Sequence, residues 1–164
     1  MTPSPEALDE LTASLQRLGR LLASRQATSR VTSAAKVDVS QQGAALLRTL
    51  LRSGRLPMAG LASVAAMDLG AVSRQVRVLE ASGAVRRSSD PSDGRVALLE
   101  LTPKGRRMAE GLRTVGVRHL ETALDGWSEA DGRKLAALLG RLVDDLVATP
   151  VPTAGEARGS APQA

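Results

Sequence analysis

LASVAAMDLGAVSRQVRVLEASGAVRRSSDPSDGRVALLELTPKG, residues 61–105, decides the fold of this 164-residue chain. Asp68 stands where a helix needs an N-cap, since a carboxylate there can accept from the first free backbone N–H groups. Gly83 stands where a helix can stop in the left-handed conformation. Between them Leu69, Val72, Val76 and Leu79 recur at helical spacing. The spacing predicts a helix over 68–82 with these four on its apolar side and Ser73, Arg74 and Arg77 on its other faces. The stretch VRRSSDPSDGRVALLELT follows, reading as two short strands, 85–88 and 95–101, joined by a Pro/Asp/Gly turn. A β-hairpin directly behind a helix is thus expected.

Outward from this stretch the chain is helical. Pro57 opens a short helix whose apolar side is Leu61, Ala62, Val64 and Ala65, and the turn after it, Ala66-Met67, contains no glycine. Asp38 or Ser40 opens an earlier helix through Ala44, Leu46, Leu47, Leu50 and Leu51, closed by Ser53-Gly54. Ser4-Pro5-Glu6 announces the first helix, and Leu8, Leu11, Leu15, Leu18 and Leu22 follow at alternating spacings of three and four, a heptad seam. One helix over 5–30 is expected. Downstream, Pro103 begins a helix to about Leu124. Ser128-Glu129-Ala130-Asp131 resembles a capping box with Asp in place of Glu, opening a helix through Leu135, Leu138, Leu139, Leu142, Val143 and Leu146. The end, TPVPTAGEARGSAPQA, is Pro/Ala/Gly-rich without periodicity and is expected to be disordered.

Composition narrows the function. There is no Cys, one His and one aromatic residue, Trp127, which excludes disulfides, catalytic thiols and thiol redox sensing and disfavours a metal site. The core must be Leu, Val, Ala and Met, with Met58, Met67 and Met108 as fillers and Trp127 expected to pack. No run of about 18 apolar residues is present and the N-terminus is unlike a secretory signal, so no membrane partner and a cytoplasmic location are expected. The net charge of +5 is uneven. Residues 11–55 carry eight Lys/Arg against Asp38 alone and 71–107 carry eight against four acids, whereas from His119 onward seven acids face four bases. An anionic polymer would bind the first two thirds.

A short helix, a tight turn, a longer helix and a basic hairpin are the parts of a helix-turn-helix with a wing, in which the second helix presents polar side chains to the major groove. AVSRQVRVLEASGAV, DPSDGRV and LTPKG, in this order and spacing, resemble the core of the MarR family of bacterial transcription regulators. The close match covers about 45 residues; one long helix before it and two after extend the likeness to nearly the whole chain except the tail. The fold expected is mainly α with a small β-hairpin wing: an N-terminal dimerisation helix (1–34), a winged helix-turn-helix domain (35–105), C-terminal dimerisation helices (106–148) and a tail (149–164). The resemblance implies a homodimer on double-stranded DNA at a pseudo-palindromic operator, a repressor more often than an activator, released by a small anionic or phenolic ligand, with no cofactor and no catalysis. It implies a recognition helix at 68–82 and a wing at 85–101. Ser73, Arg74 and Arg77 match the polar positions of the family's recognition helix and are expected to face bases or phosphates. Asp93 and Arg95 match its D-x-R wing tip, where Arg enters the minor groove and Asp is usually paired with an arginine that it orients.

Physical chemistry supports these roles, since arginine reads guanine bidentately and suits a narrow minor groove. Arg86, Arg87, Arg106 and Arg107 are expected to neutralise phosphate. Gly70 and Ala71 stand where family members often carry Ser or Thr, and Gly70 lowers helix propensity by up to about 1 kcal/mol relative to Ala. Leu8, Leu11, Leu15 and Leu18, with Leu135, Leu139, Leu142 and Leu146, are expected at the dimer interface; the plainer reading packs the two seams on each other within one chain. Arg17, Arg20, Arg25 and Arg30 read as a solvated face, with DNA contacts, or for some of them an effector cleft, as the other uses. Two alternatives remain. A nucleoid-type protein would bind DNA with little base readout, and an enzyme would have to use His119, which has no nucleophile motif around it.

Overall fold

The computed structural model describes residues 3–90 and 93–151. The chain forms two compact units, one through Leu120 and one from Glu121. The first unit contains α1 (Pro5–Ala23), α2 (Arg25–Ala34), α3 (Gln41–Ser53), β1 (Leu56–Pro57), α4 (Met58–Val64), α5 (Leu69–Ala81), β2 (Val85–Ser89), β3 (Ala97–Leu101) and most of α6 (Pro103–Ala123). The second contains α7 (Glu129–Ala148). Of the tail expected to be disordered, residues 152–164 lie outside the described residues, as do the wing residues 91 and 92.

Helix starts follow the sequence closely. The Oγ atoms of Ser4 and Ser40 accept from the N–H groups of Ala7 and Gly43, and Asp68 Oδ1 accepts from Ala71. Ser128 Oγ accepts from the Asp131 N–H and donates to Asp131 Oδ2, so Ser128 caps α7 while the Asp131 carboxylate pairs with the cap's hydroxyl rather than with its backbone N–H. Ser40, not Asp38, caps α3.

The single helix expected over 5–30 is instead two. It breaks at Ser24, which is extended (φ −64°, ψ 121°) and caps the end of α1 and the start of α2. The leucine seam ends at Leu22, and the polar RQATSR that follows has no apolar stripe to continue the helix, while a serine hydroxyl competes for backbone N–H groups. Gln41 Nε2 of α3 donates to the Leu22 carbonyl at 3.1 Å, satisfying an acceptor that the break frees.

The hairpin is also larger than expected. Leu56 and Pro57 pair with Leu99 and Leu98, so a three-stranded antiparallel sheet forms in the order β1-β3-β2. Two residues carry no periodicity, and a proline is tolerated here because β1 is an edge strand that need not donate. Pro57 accordingly precedes α4 rather than opening it. β3 begins at Ala97, two residues later than expected, and β2 runs on to Ser89.

The core of the first unit joins Leu46, Leu47 and Leu50 of α3, Leu61 of α4, Val72, Val76 and Leu79 of α5, Val85 and Leu99 of the sheet and Leu112 of α6. Burying one such side chain is worth about 1.5–3 kcal/mol. Met58, Met67 and Met108 pack against this cluster as fillers. Three apolar positions depart from expectation: Val64 is 47 % exposed, Leu69 51 % and Trp127 52 %. Val64 and Leu69 sit at the last and first helical positions around the α4–α5 turn, where the helix face has already rotated away from the core.

That turn closes without glycine. Met67 N–H donates to the Ala62 carbonyl and Ala66 N–H to that of Ser63, a Schellman ending whose left-handed residue is Ala66 (φ 50°). The end of α2 has the same pattern around Lys36 (φ 54°), and the end of α5 around Gly83 (φ 71°).

Candidate nucleic-acid interface

α5 is held from three sides. Val72, Val76 and Leu79 enter the core, Asp68 caps its start, and Ser40 Oγ donates to Gln75 Oε1 at 2.7 Å, tying its middle to the first turn of α3. The opposite face carries Gly70, Arg74, Arg77, Val78 and Ala81, all exposed, with Ser73 half-buried at its edge. Ser73, Arg74 and Arg77 thus share one side of a braced helix. Leu69 and Val78, apolar and more than half exposed, flank it.

The wing turn is built by carboxylates. Asp93 Oδ1 accepts from the Arg95 N–H at 3.0 Å, the Asp93 carbonyl accepts from the Val96 N–H at 2.9 Å, and the Asp90 N–H donates to the Val96 carbonyl. Asp93 therefore shapes the backbone that displays Arg95, whose side chain is exposed. The contact observed for Asp93 is to this backbone N–H, whereas the resemblance gave it an arginine side chain.

Arg86 and Arg87 are exposed but have partners within the fold. Arg86 Nε donates to Glu100 Oε1 at 2.8 Å, and Arg55 Nε lies 3.1 Å from Glu100 Oε2, so one largely buried carboxylate serves two guanidinium groups. Arg87 donates to both oxygens of Glu80 through Nε (2.8 Å) and Nη2 (3.4 Å). The hydrogen bond and the negative charge of Glu80 raise the Arg87 pKa above its ordinary value. The sequence reading passed over Glu80, Glu100 and Arg55. A signal existed, because extending the strand register from Val85↔Leu101 puts Arg86 directly opposite Glu100.

LTPKG proves to be a joint. The Thr102 N–H donates to the Ala84 carbonyl, Thr102 Oγ1 donates to the Gly83 carbonyl at 2.7 Å and accepts from the Gly105 N–H at 3.1 Å, and Lys104 Nζ donates to the Ser82 carbonyl at 2.6 Å. A β-carbon on Gly105 would lie 1.9 Å from the Ala84 carbonyl oxygen, so only glycine lets α6 start this close to the end of α5. The motif thus ties the start of α6 to the end of α5 and to the residue that precedes β2. Arg106 and Arg107, just after it, are exposed.

The leucine seams are open. Leu8, Leu11 and Leu18 are each 41 % exposed with Leu15 half-buried, and no residue of α1 is buried. In α7, where again no residue is buried, Leu139 and Leu146 are exposed and Leu135 and Leu142 half-buried. His119 is exposed on α6. Between α2 and the start of α3 lies a groove of about 890 Å³ whose charged lining is Arg25, Lys36 and Asp38, with hydroxyls from Thr28, Ser29 and Ser33.

Known proteins place this geometry. The family model described as MarR family matches residues 39–97, which span α3 to the start of β3. The Bacillus subtilis (strain 168) protein named uncharacterized HTH-type transcriptional regulator YxaD is 34% identical over 97 residues, covering 59% of this chain and 68% of YxaD. Among solved structures, a MarR family protein from Bacillus stearothermophilus superposes with a TM-score of 0.73 at 20% identity, over 89% of this chain and 99% of that one. NadR in complex with 4-hydroxyphenylacetate superposes with a TM-score of 0.66 at 20% identity, over 87% and 96%. A braced helix with arginines on its open face, an arginine displayed at a hairpin turn, and these sequence matches agree: the chain belongs to the MarR family of winged-helix transcription regulators.

Proposed function

We propose that the protein is a homodimeric repressor that binds a palindromic operator and leaves it when a small organic anion binds. The observation that carries this reading is the juxtaposition of Ser73, Arg74 and Arg77 on the open face of α5 with Arg95 exposed at the wing turn. The first set suits base edges in the major groove and the second suits the electronegative minor groove beside it. Arg86 and Arg87 add phosphate contacts through the guanidinium edges that Glu100 and Glu80 leave outward, and the exposed Arg106 and Arg107 add theirs directly. The exposed leucines of α1 and α7 are the surface that a second copy covers, with Leu8, Leu11, Leu15 and Leu18 and Leu135, Leu139, Leu142 and Leu146 at the interface. A two-fold axis then sets the α5 helices in successive major grooves, about 34 Å apart. Such a protein works in the cytoplasm, as a binder and not as an enzyme.

The effector reading starts from NadR, which binds 4-hydroxyphenylacetate, an aromatic hydroxy acid. Here the groove at α2 and α3 offers Arg25 and Lys36 to a carboxylate and serine and threonine hydroxyls to a phenol. Ser40 lines that groove and donates to Gln75 of α5, so a ligand that displaces the start of α3 acts on the recognition helix. It shifts the operator equilibrium only by its preference for one of the two arrangements.

Selection of bound duplexes from a random pool at physiological salt tests the reading. The expected result is one palindrome with half-site centres about 10 base pairs apart. Uniform recovery without a motif would instead indicate a nucleoid-type binder.

A further inference from the structure

Around α5, at about 100° per residue, Gly70, Arg74 and Ala81 run along the middle of the open face, with Arg77 and then Ser73 toward one flank and Val78 toward the other. Gly70 is conspicuous there. Its backbone is helical, so no turn requires glycine, and it is exposed, so packing against the core does not require it either. What stands near it is specific: a β-carbon on residue 70 would lie 3.0 Å from Asp68 Oδ1 and 3.6 Å from Arg74 Nη1. The second distance shows where the Arg74 guanidinium goes. The side chain runs back one turn toward the helix N-terminus, as long helical side chains do, and lies against the bare backbone of Gly70. The first distance puts the Asp68 carboxylate, engaged with the Ala71 N–H at 3.0 Å, beside the same spot.

We propose that Gly70 is a specificity-determining residue of the DNA-reading face. Its missing side chain leaves a slot across the first turn of α5 that receives the Arg74 guanidinium. From there the guanidinium is presented at the middle of the face, where its donors meet O6 and N7 of a guanine. A larger residue at 70 occupies the slot, pushes the guanidinium to the flank and changes which base pair Arg74 meets, while Ser73, Arg77 and the wing keep their positions. This rests on the operator reading above, and it makes residue 70 a determinant of sequence preference without any base contact of its own.

The variants grade the effect. In Gly70→Ala the new β-carbon meets Arg74 Nη1 at 3.6 Å, an ordinary contact, so the guanidinium stays and only Asp68 Oδ1 yields by a few tenths of an ångström. In Gly70→Leu the branched side chain fills the slot. Leucine is a strong helix former and the site is exposed, so folding is retained; Gly70→Gln serves the same end if it is not. Random-pool selection is run on the full-length wild type, Gly70→Ala, Gly70→Leu, Arg74→Ala and the Gly70→Leu/Arg74→Ala pair, with thermal melts confirming that each is folded. The expected wild-type result includes one guanine per half-site preferred by about tenfold or more. Arg74→Ala and Gly70→Leu each lose that preference at the same base pair, the double variant loses no more, and Gly70→Ala keeps it. The proposal is overturned if Gly70→Leu weakens binding to all sequences equally, if it alters a position that Arg74→Ala leaves unchanged, or if Arg74→Ala changes no preference. Failure of the wild type itself to enrich a motif would overturn the operator reading, and this proposal with it.

Discussion

Replacing Gly105 by alanine adds one carbon at the tightest point of the fold. That carbon would stand 1.9 Å from the Ala84 carbonyl oxygen, roughly 1.5 Å short of ordinary contact at 3.4 Å. No rotamer change relieves the clash, because the obstructing atom is backbone and is itself fixed by the Thr102 N–H at 3.0 Å. The start of α6 must therefore retreat from the end of α5. Overpacking of this kind costs about 1–3 kcal/mol, and stretching the Thr102–Ala84 hydrogen bond adds about 1 kcal/mol. A total of about 2–4 kcal/mol corresponds, at about 2–4 °C per kcal/mol for a chain of this size, to a melting temperature roughly 5–15 °C lower. Circular dichroism melting of wild type and variant at equal protein concentration reads it directly. Operator binding at 15 °C, where the variant remains folded, should also fall, because the same joint holds the end of α5 and the residue that precedes β2. A variant melting within about 1 °C of the wild type would refute the claim that this glycine is required by close approach.

Three further outcomes follow from other parts of the molecule. Ala66→Gly should raise stability by about 0.5–1 kcal/mol, read by urea denaturation, because the residue already occupies the left-handed region at φ 50°, where an L side chain is strained; an unchanged or lower midpoint counts against that strain. Arg95→Ala should weaken operator binding by about tenfold or more at fixed salt with an unchanged melting temperature, since the side chain is exposed and the turn is made by Asp93 and the backbone; unchanged affinity would remove the wing from recognition. Arg87→Ala should lower affinity for every duplex alike and reduce the slope of log affinity against log salt by about 0.9. A change in base preference there would contradict a phosphate role.

Much of this was legible in the residues because its causes are local. Ser4, Asp68 and Ser128 each cap the helix that the sequence assigned to it, Ser40 is one of the two caps offered for α3, Asp68 and Gly83 bracket α5 correctly, and the D-x-R at 93–95 does sit at the hairpin turn. What escaped depends on pairing across the chain. β1 is two residues whose strand character exists only because Leu99 and Leu98 lie beside them. The break at Ser24 is stabilised by Gln41, a residue 17 positions away that no local pattern connects to it. The basic run at 86–87 looked free to meet phosphate because Glu100 and Glu80 come to it only once the strands and α5 are in place. LTPKG was visible as a motif, yet its reason, the approach of Gly105 to Ala84, belongs to tertiary packing. That Ser73, Arg74 and Arg77 share the side of α5 away from the core was a matter of helical period and needed nothing more.

The central claim is that two copies of this chain act together on one symmetrical site. The most direct measurement is the mass of the full-length protein bound to a single selected duplex, by light scattering at physiological salt, together with a hydroxyl-radical footprint of both strands. Two 17.1 kDa chains per duplex, with protections related by a dyad at the centre of the palindrome, is the result predicted. A single chain per duplex, or protein accumulating in proportion to duplex length with no dyad, would contradict it.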